Sequence, residues 1–167
     1  MQDKQGMGAS MARRGFLAAA PLSAWFGSGA NGLPEAAPLD FAALRVPDSP
    51  NACLAGPPGG NPASQITVPP VRADPDRAVA ALRDLGGRFP RTTPLAAWPD
   101  RRQAQWVARS ALLNFPDLVA AGIVPQPNGG SGLFLFSRSL FGYSDLGVNR
   151  ARIEAWLATF RTTLGEG

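Results

Sequence analysis

Ten prolines fall between residues 31 and 75, at positions 34, 38, 47, 50, 57, 58, 62, 69, 70 and 75. Each removes a backbone donor and fixes φ, so a long helix or a central strand does not fit this stretch. Regular structure is thereby concentrated in the rest of the chain. Pro57-Pro58-Gly59-Gly60-Asn61-Pro62 reads as a loop, and Gln65–Val68 as a short extended piece suited to a sheet edge. The expectation is a segment that wraps the surface and is ordered in patches. Residues 31–63 then form a linker and residues 64–167 the folded domain.

Asp74-Pro75 opens a helix in the preferred way. The aspartate accepts orphan backbone donors, and proline at the first helical position loses nothing by lacking an N–H. Ala78, Val79, Leu82 and Leu85 fall on one face, and Gly86-Gly87 ends the run. Extended candidates follow at 92–97, 103–110, 117–124 and 132–139, with Pro125–Gly130 as a hairpin loop between the last two. Both alternating sets of Gly132–Ser137 are apolar, which predicts a central strand covered on both faces. The short loops favour antiparallel neighbours and leave no long crossover. Near the end, Ile153, Trp156, Leu157, Phe160 and Leu164 make a single helical stripe. The fold class expected is α+β, an antiparallel sheet of four to five strands packed with two helices as a two-layer sandwich.

The first thirty residues read as an address. Arg13-Arg14-Gly15-Phe16-Leu17 is followed by an Ala- and Gly-rich apolar run to Phe26, and small residues Ser28 and Ala30 sit where cleavage needs them. The arrangement resembles a twin-arginine export signal, with Arg13, Arg14, Phe16 and Leu17 as its recognition residues, although Ala12 and Ala18 stand where that pattern favours Ser and Lys. It implies the export machinery as a partner, a mature chain starting near Asn31, and a periplasmic or otherwise exported location. Gly15–Ala30 is broken by Pro21 and several glycines and falls short of the roughly 20 residues of a stable membrane span.

Composition narrows the chemistry. There is no histidine and a single cysteine, Cys53. The usual general base, the Ser-His and Cys-His pairs, and Cys-based metal sites are therefore excluded. No metal and no cofactor are expected. Removing residues 1–30 takes away Lys4, Arg13, Arg14 and Asp3, so net charge falls from +4 to +2. Basic residues occur at most in adjacent pairs without interleaved aromatics, which argues against nucleic acid as a partner. Cys53 is either an inert small apolar residue or a thiol able to pair between chains. The tryptophans at 98, 106 and 156 read as core or edge anchors.

One segment says more than fold. Residues 137–154, Ser-Arg-Ser-Leu-Phe-Gly-Tyr-Ser-Asp-Leu-Gly-Val-Asn-Arg-Ala-Arg-Ile-Glu, join the central strand to the last helix. They are similar to the C-terminal signature R-S-x-S-R-x-G-Y-S-D-x-G-V-N-R-x-R-I-E of a bacterial family known as domain of unknown function 1499. Asp48-Ser49-Pro50-Asn51 resembles that family's D-S-P-N opening, and Gln105–Asp117 its middle strands. The resemblance spans about residues 45–163 and implies no particular activity. Where the family commonly has an acidic strand, this chain has Leu118-Val119-Ala120-Ala121.

From the residues themselves, Ser144 or Asp145 is placed to cap the last helix, while Asn149 and Arg150 flank its apolar stripe. An arginine there needs a carboxylate, carbonyls or a bound anion, with Asp48, Asp117 and Asp145 as candidate carboxylates. Two roles are open. In one, the cluster is a buried cap and ion-pair set that fixes the joint. In the other, Arg138, Arg150 and Asn149 hold a small anionic group at the helix N-terminus, with Tyr143, Ser144, Asp145, Asp48 and Asn51 around it. The functional expectation is an exported, cofactor-free binding or structural module, with a small anionic ligand or a protein as partner. The alternative is a metal-independent lyase or carbohydrate-active enzyme using Asp145 or Asp48 as base, which requires paired carboxylates in a cleft.

Overall fold

The computed structural model describes residues 27–33, 35–127 and 129–166. In chain order these form β1 (Ala52–Gly56), β2 (Ile66–Thr67), α1 (Pro75–Leu85), β3 (Thr92–Trp98), β4 (Gln103–Arg109), β5 (Pro116–Pro125), β6 (Ser131–Ser139) and α2 (Val148–Leu164). The strands make one sheet in the order β2-β1-β6-β5-β4-β3. Every neighbouring pair is antiparallel except β1 and β2, which are parallel. The sheet is thus six-stranded and mixed, where four to five antiparallel strands were expected.

Two of the differences share a cause in the proline-rich stretch. Ala52–Gly56 lies between Pro50 and Pro57, is almost entirely buried, and takes an interior place beside β6. The prolines bound this strand and do not interrupt it, so its backbone donors remain free to pair. A crossover also exists, contrary to expectation. The chain leaves β2 at one edge and crosses the sheet through α1 to reach β3 at the other edge.

Both helices cover one face. α1 starts where the sequence places it, with Asp74 Oδ1 accepting from the backbone N–H groups of Asp76 and Arg77 at 3.0 Å. At its end the chain passes close to the sheet. Gly86 has an ordinary φ of −59°, but a Cβ there would lie 2.2 Å from Trp106 Nε1. Ile153, Trp156, Phe160 and Leu164 of α2 pack with Leu82 and Leu85 of α1 onto Leu133, Leu135, Val119 and Trp106 of the sheet. Trp156 stacks on Phe89 at 5.0 Å and meets the Trp106 edge at 5.1 Å. Trp98 is half-buried at the end of the edge strand β3.

The opposite face is covered by the chain that precedes β1, as a wrapping segment. Gln103 exchanges bonds with the Leu39 backbone at 2.9 and 2.7 Å, and Gln105 donates to Ala37 O. Phe41 stacks on Phe134 at 5.3 Å over Gly122, whose missing side chain makes the room. Phe41, Leu54, Ala120, Phe134 and Phe136 form this second apolar cluster, so β6 is covered on both sides. Among the described residues no helix is long and apolar enough to cross a membrane. Arg13, Arg14, Phe16 and Leu17 lie outside the described residues.

Candidate functional site

Alternation along β6 points Ser137 and Ser139 toward the helices, as it does Leu133 and Leu135. At the foot of this face α2 delivers Asn149, which is 1% exposed. Its Oδ1 accepts from Ser137 Oγ and from Arg152 Nη1, the latter at 2.7 Å. Its Nδ2 lies within donating distance of Asp145 Oδ2 (2.6 Å), Asn51 O (2.9 Å) and Ser139 Oγ (3.0 Å). Arg152 continues the network, donating to Ser137 Oγ at 2.9 Å and pairing with Asp117 Oδ2 at 2.7 Å. Burial pushes the Asp117 carboxyl above its usual range; the Arg152 charge and a Ser139 hydrogen bond oppose that shift without cancelling it.

The two sequence motifs meet here. Asn51 donates its Nδ2 to Gly142 O at 2.7 Å, and Ser49 Oγ donates to Asn51 Oδ1 at 2.8 Å. The loop before α2 turns on Gly142 and Gly147, both at φ 85°. Asp145 closes it, accepting from Gly147 N at 2.9 Å and Asn149 N at 2.8 Å. It therefore caps the helix from two residues before the N-cap position, occupied by Gly147. Ser144 is exposed and its hydroxyl accepts weakly from Leu146 N at 3.3 Å.

Asn51, Asp145 and Asn149 are thus brought together in the buried cluster, Ser144 and Arg150 line the cleft beside it with Asp145, and Arg138, Tyr143 and Asp48 belong to neither. Arg150 points to the solvent flank of α2 and forms an exposed i,i+4 pair with Glu154 at 3.1 Å. The inward arginine is Arg152, two positions on. Arg138 is buried but on the opposite sheet face, in register with Ala52 and Leu118. It forms no ion pair among the described residues, its Nε is enclosed without a partner, and burial lowers its pKa. The sheet therefore separates Arg138 from Arg150 and Asn149. Tyr143 is 76% exposed and belongs to no cluster. Asp48 is exposed and makes no ion pair among the described residues. Cys53 is buried on β1, and desolvation raises its thiol pKa.

An open cleft of about 250 Å³ adjoins the cluster, lined by Cys53, Gln65, Ser144, Asp145 and Arg150 among others. Its single carboxylate, Asp145, has both oxygens engaged by N–H donors. A second acid, which carboxylate catalysis would need, does not line it. A larger surface opening of about 430 Å³ lies between α1 and the turn at Pro99–Arg101, away from both motifs. Among the described residues no three His, Cys, Asp or Glu side chains are grouped to hold a metal ion.

Sequence reasoning missed Ser137, Ser139 and Arg152. The two serines were legible, because alternation within β6 separates them from Arg138. A family model described as protein of unknown function, DUF1499, matches residues 44–160, which include both motifs and the whole polar cluster. No curated protein and no solved structure matches the chain.

Proposed function

Because the chain belongs to the DUF1499 family of proteins of unknown function, its role has to come from its own geometry, and we propose that it is an exported, non-catalytic binding module whose buried polar cluster holds the β6–α2 loop in one shape for a partner. The observation that carries this reading is a contrast within residues 142–149. The Asn149 amide and the Asp145 carboxylate are engaged by protein groups, whereas Tyr143, Leu146 and Val148 are 76, 95 and 47% exposed. Leu146 also has φ 55°, a left-handed backbone that costs a leucine roughly 1–2 kcal/mol. A strained, exposed leucine held by a buried network serves display better than stability. The export half of the reading rests on the twin-arginine-like start of the chain.

Hydrogen exchange tests the display reading. In the wild type the amides of Gly147 and Asn149, both bonded to Asp145, should be protected. Asn149→Ala should release them while β4 and β5 stay protected. Unchanged protection would mean that the cluster does not hold the loop.

A second reading attaches to Arg138 alone. An enclosed guanidinium without an acid partner favours a small anion on the outer sheet face. Phosphate should then raise the melting temperature of the wild type and leave that of Arg138→Met unmoved. Equal responses would remove this reading.

A further inference from the structure

All the large apolar side chains exposed among the described residues are Leu112, Leu113, Tyr143, Leu146 and Val148. Leu112 and Leu113 lie in the loop between β4 and β5, Tyr143 and Leu146 in the loop between β6 and α2, and Val148 is the first residue of α2. Register places both loops at the same end, because Asp117 faces Ala108 on β4 and Ser139 on β6. Phe115 and Phe141, one from each loop, lie 6.3 Å apart by ring centroids. Single exposed leucines are ordinary on a protein surface; the gathering of the whole exposed set at one end is not.

We infer that this end docks on a phospholipid bilayer surface, inserting Leu112, Tyr143 and Leu146 at the level of the headgroups and upper acyl chains. The inference rests on the display reading and names the partner for that loop. Three further observations select a bilayer over a protein groove. First, the apolar groups stand on separate protruding loops, with Leu146 95% and Leu112 91% exposed, a form that suits a soft, laterally mobile surface. Second, Arg91 is exposed at the same end, ahead of β3. It is held by Arg109 O and Asn114 Oδ1 without an ion-paired acid among the described residues, so its charge is available to a lipid phosphate. Asp48 is the exposed acid nearby; Asp117 and Asp145 are engaged inside the cluster. Third, Gly27 is fastened to this end, its carbonyl accepting from Asn114 Nδ2 at 3.1 Å. The residues that precede it in sequence are the apolar run 15–26 behind Arg13-Arg14. On the export reading of that run, the leader joins the fold at this end.

The experiment uses the full chain carrying Cys53→Ala and one environment-sensitive dye, attached through Leu112→Cys, Leu146→Cys or Pro127→Cys. Pro127 is an exposed control in the β5–β6 hairpin, at the opposite end. With vesicles of phosphatidylcholine and phosphatidylglycerol, the dyes at 112 and 146 should shift to the blue and brighten several-fold, and the dye at 127 should not change. Arg91→Gln should weaken vesicle partitioning about fivefold, which corresponds to the ~1 kcal/mol of one basic side chain near an anionic surface. Chain that sediments with vesicles while positions 112 and 146 stay in water would overturn the inference, since the leader alone would then carry binding. Equal brightening at 127 would overturn it as unspecific adsorption. Brightening without vesicles that grows with protein concentration would overturn it in favour of a second copy. In each of these cases the exchange protection of Gly147 and Asn149 tests the display reading separately.

Discussion

Asn149→Ala should be among the most damaging single polar substitutions in the domain. The side chain is 1% exposed and links α2, β6, the residue before β1 and the capping loop through five close polar contacts. Several partners survive its loss. Asn51 O still accepts from Ser139 N, Asp145 Oδ2 still accepts the backbone N–H of residue 149, and Arg152 keeps Ser137 Oγ and Asp117. The proton of the Ser137 hydroxyl, however, loses its acceptor in a buried site, which costs about 1–3 kcal/mol. Loss of the remaining bonds at about 0.5–1.5 kcal/mol each, discounted for those that re-form, brings the total to about 3 kcal/mol. For a domain of this size that lowers Tm by roughly 10–15 °C. Urea unfolding followed by tryptophan fluorescence reads it directly, because Trp156 of α2 and Trp106, which it meets edge-on, are both buried. Arg150→Ala, one residue along, is the control and should change stability by no more than about 0.5 kcal/mol, as exposed helical ion pairs do. A loss below about 1 kcal/mol for Asn149→Ala, or one matched by the control, would refute the clamp.

Three other outcomes follow from the packing and the charges. Gly86→Ala should cost about 1–3 kcal/mol by driving a methyl into the Trp106 indole, whereas Gly87→Ala, with open space around its Cβ, should be neutral or slightly stabilising; urea midpoints separate them. Asp117 has its folded pKa raised by burial, so its favourable contribution is complete below the ordinary carboxylate range and is lost as pH rises through the higher folded value. Stability of the wild type minus that of Asp117→Asn should therefore fall as pH increases from about 4, and a difference that rises with pH would show that the Arg152 pairing dominates. Cys53, buried and with its thiol pKa raised, should react with a disulfide reagent only as fast as the domain opens; rapid labelling of the native protein would contradict its place in the core.

Local chemistry made much of this fold legible. Asp74-Pro75 marked the start of α1, turn residues set the limits of β3 to β6 within a residue or two, and the stripe from Ile153 to Leu164 gave α2 its buried face. What stayed hidden was non-local. Ala-Cys-Leu-Ala-Gly carries little strand propensity and no alternation, and it becomes β1 because β6 presents an open edge beside it. The parallel turn into β2 likewise depends on that placement. Asn61, which looked like loop filler, earns burial by donating to the carbonyls of Phe41 and Leu44, tying the loop after β1 to the wrapping segment.

The exchange of Arg150 for Arg152 has a sharper physical cause. On an ideal wheel with Ile153 at zero, Asn149 sits near −40°, Arg150 near +60° and Arg152 near −100°. By angle alone Arg150 is closer to the apolar stripe and is the better candidate for burial. The wheel, however, carries no information about which side of the stripe meets the sheet. Here the negative flank, the one bearing Asn149, lies against Ser137 on β6 and Asp117 on β5. Arg152 is on that flank, and its long side chain covers the remaining distance while Arg150 is left to Glu154 and solvent. The inward-facing guanidinium therefore belongs to the residue on the correct flank, and its need for a companion is met by one of the three carboxylates that the sequence offers. With Arg152 paired to Asp117 and Asn149 bonded on both sides, the polar groups of the cluster engage one another, which is why the proposed recognition is placed in the loop that they secure.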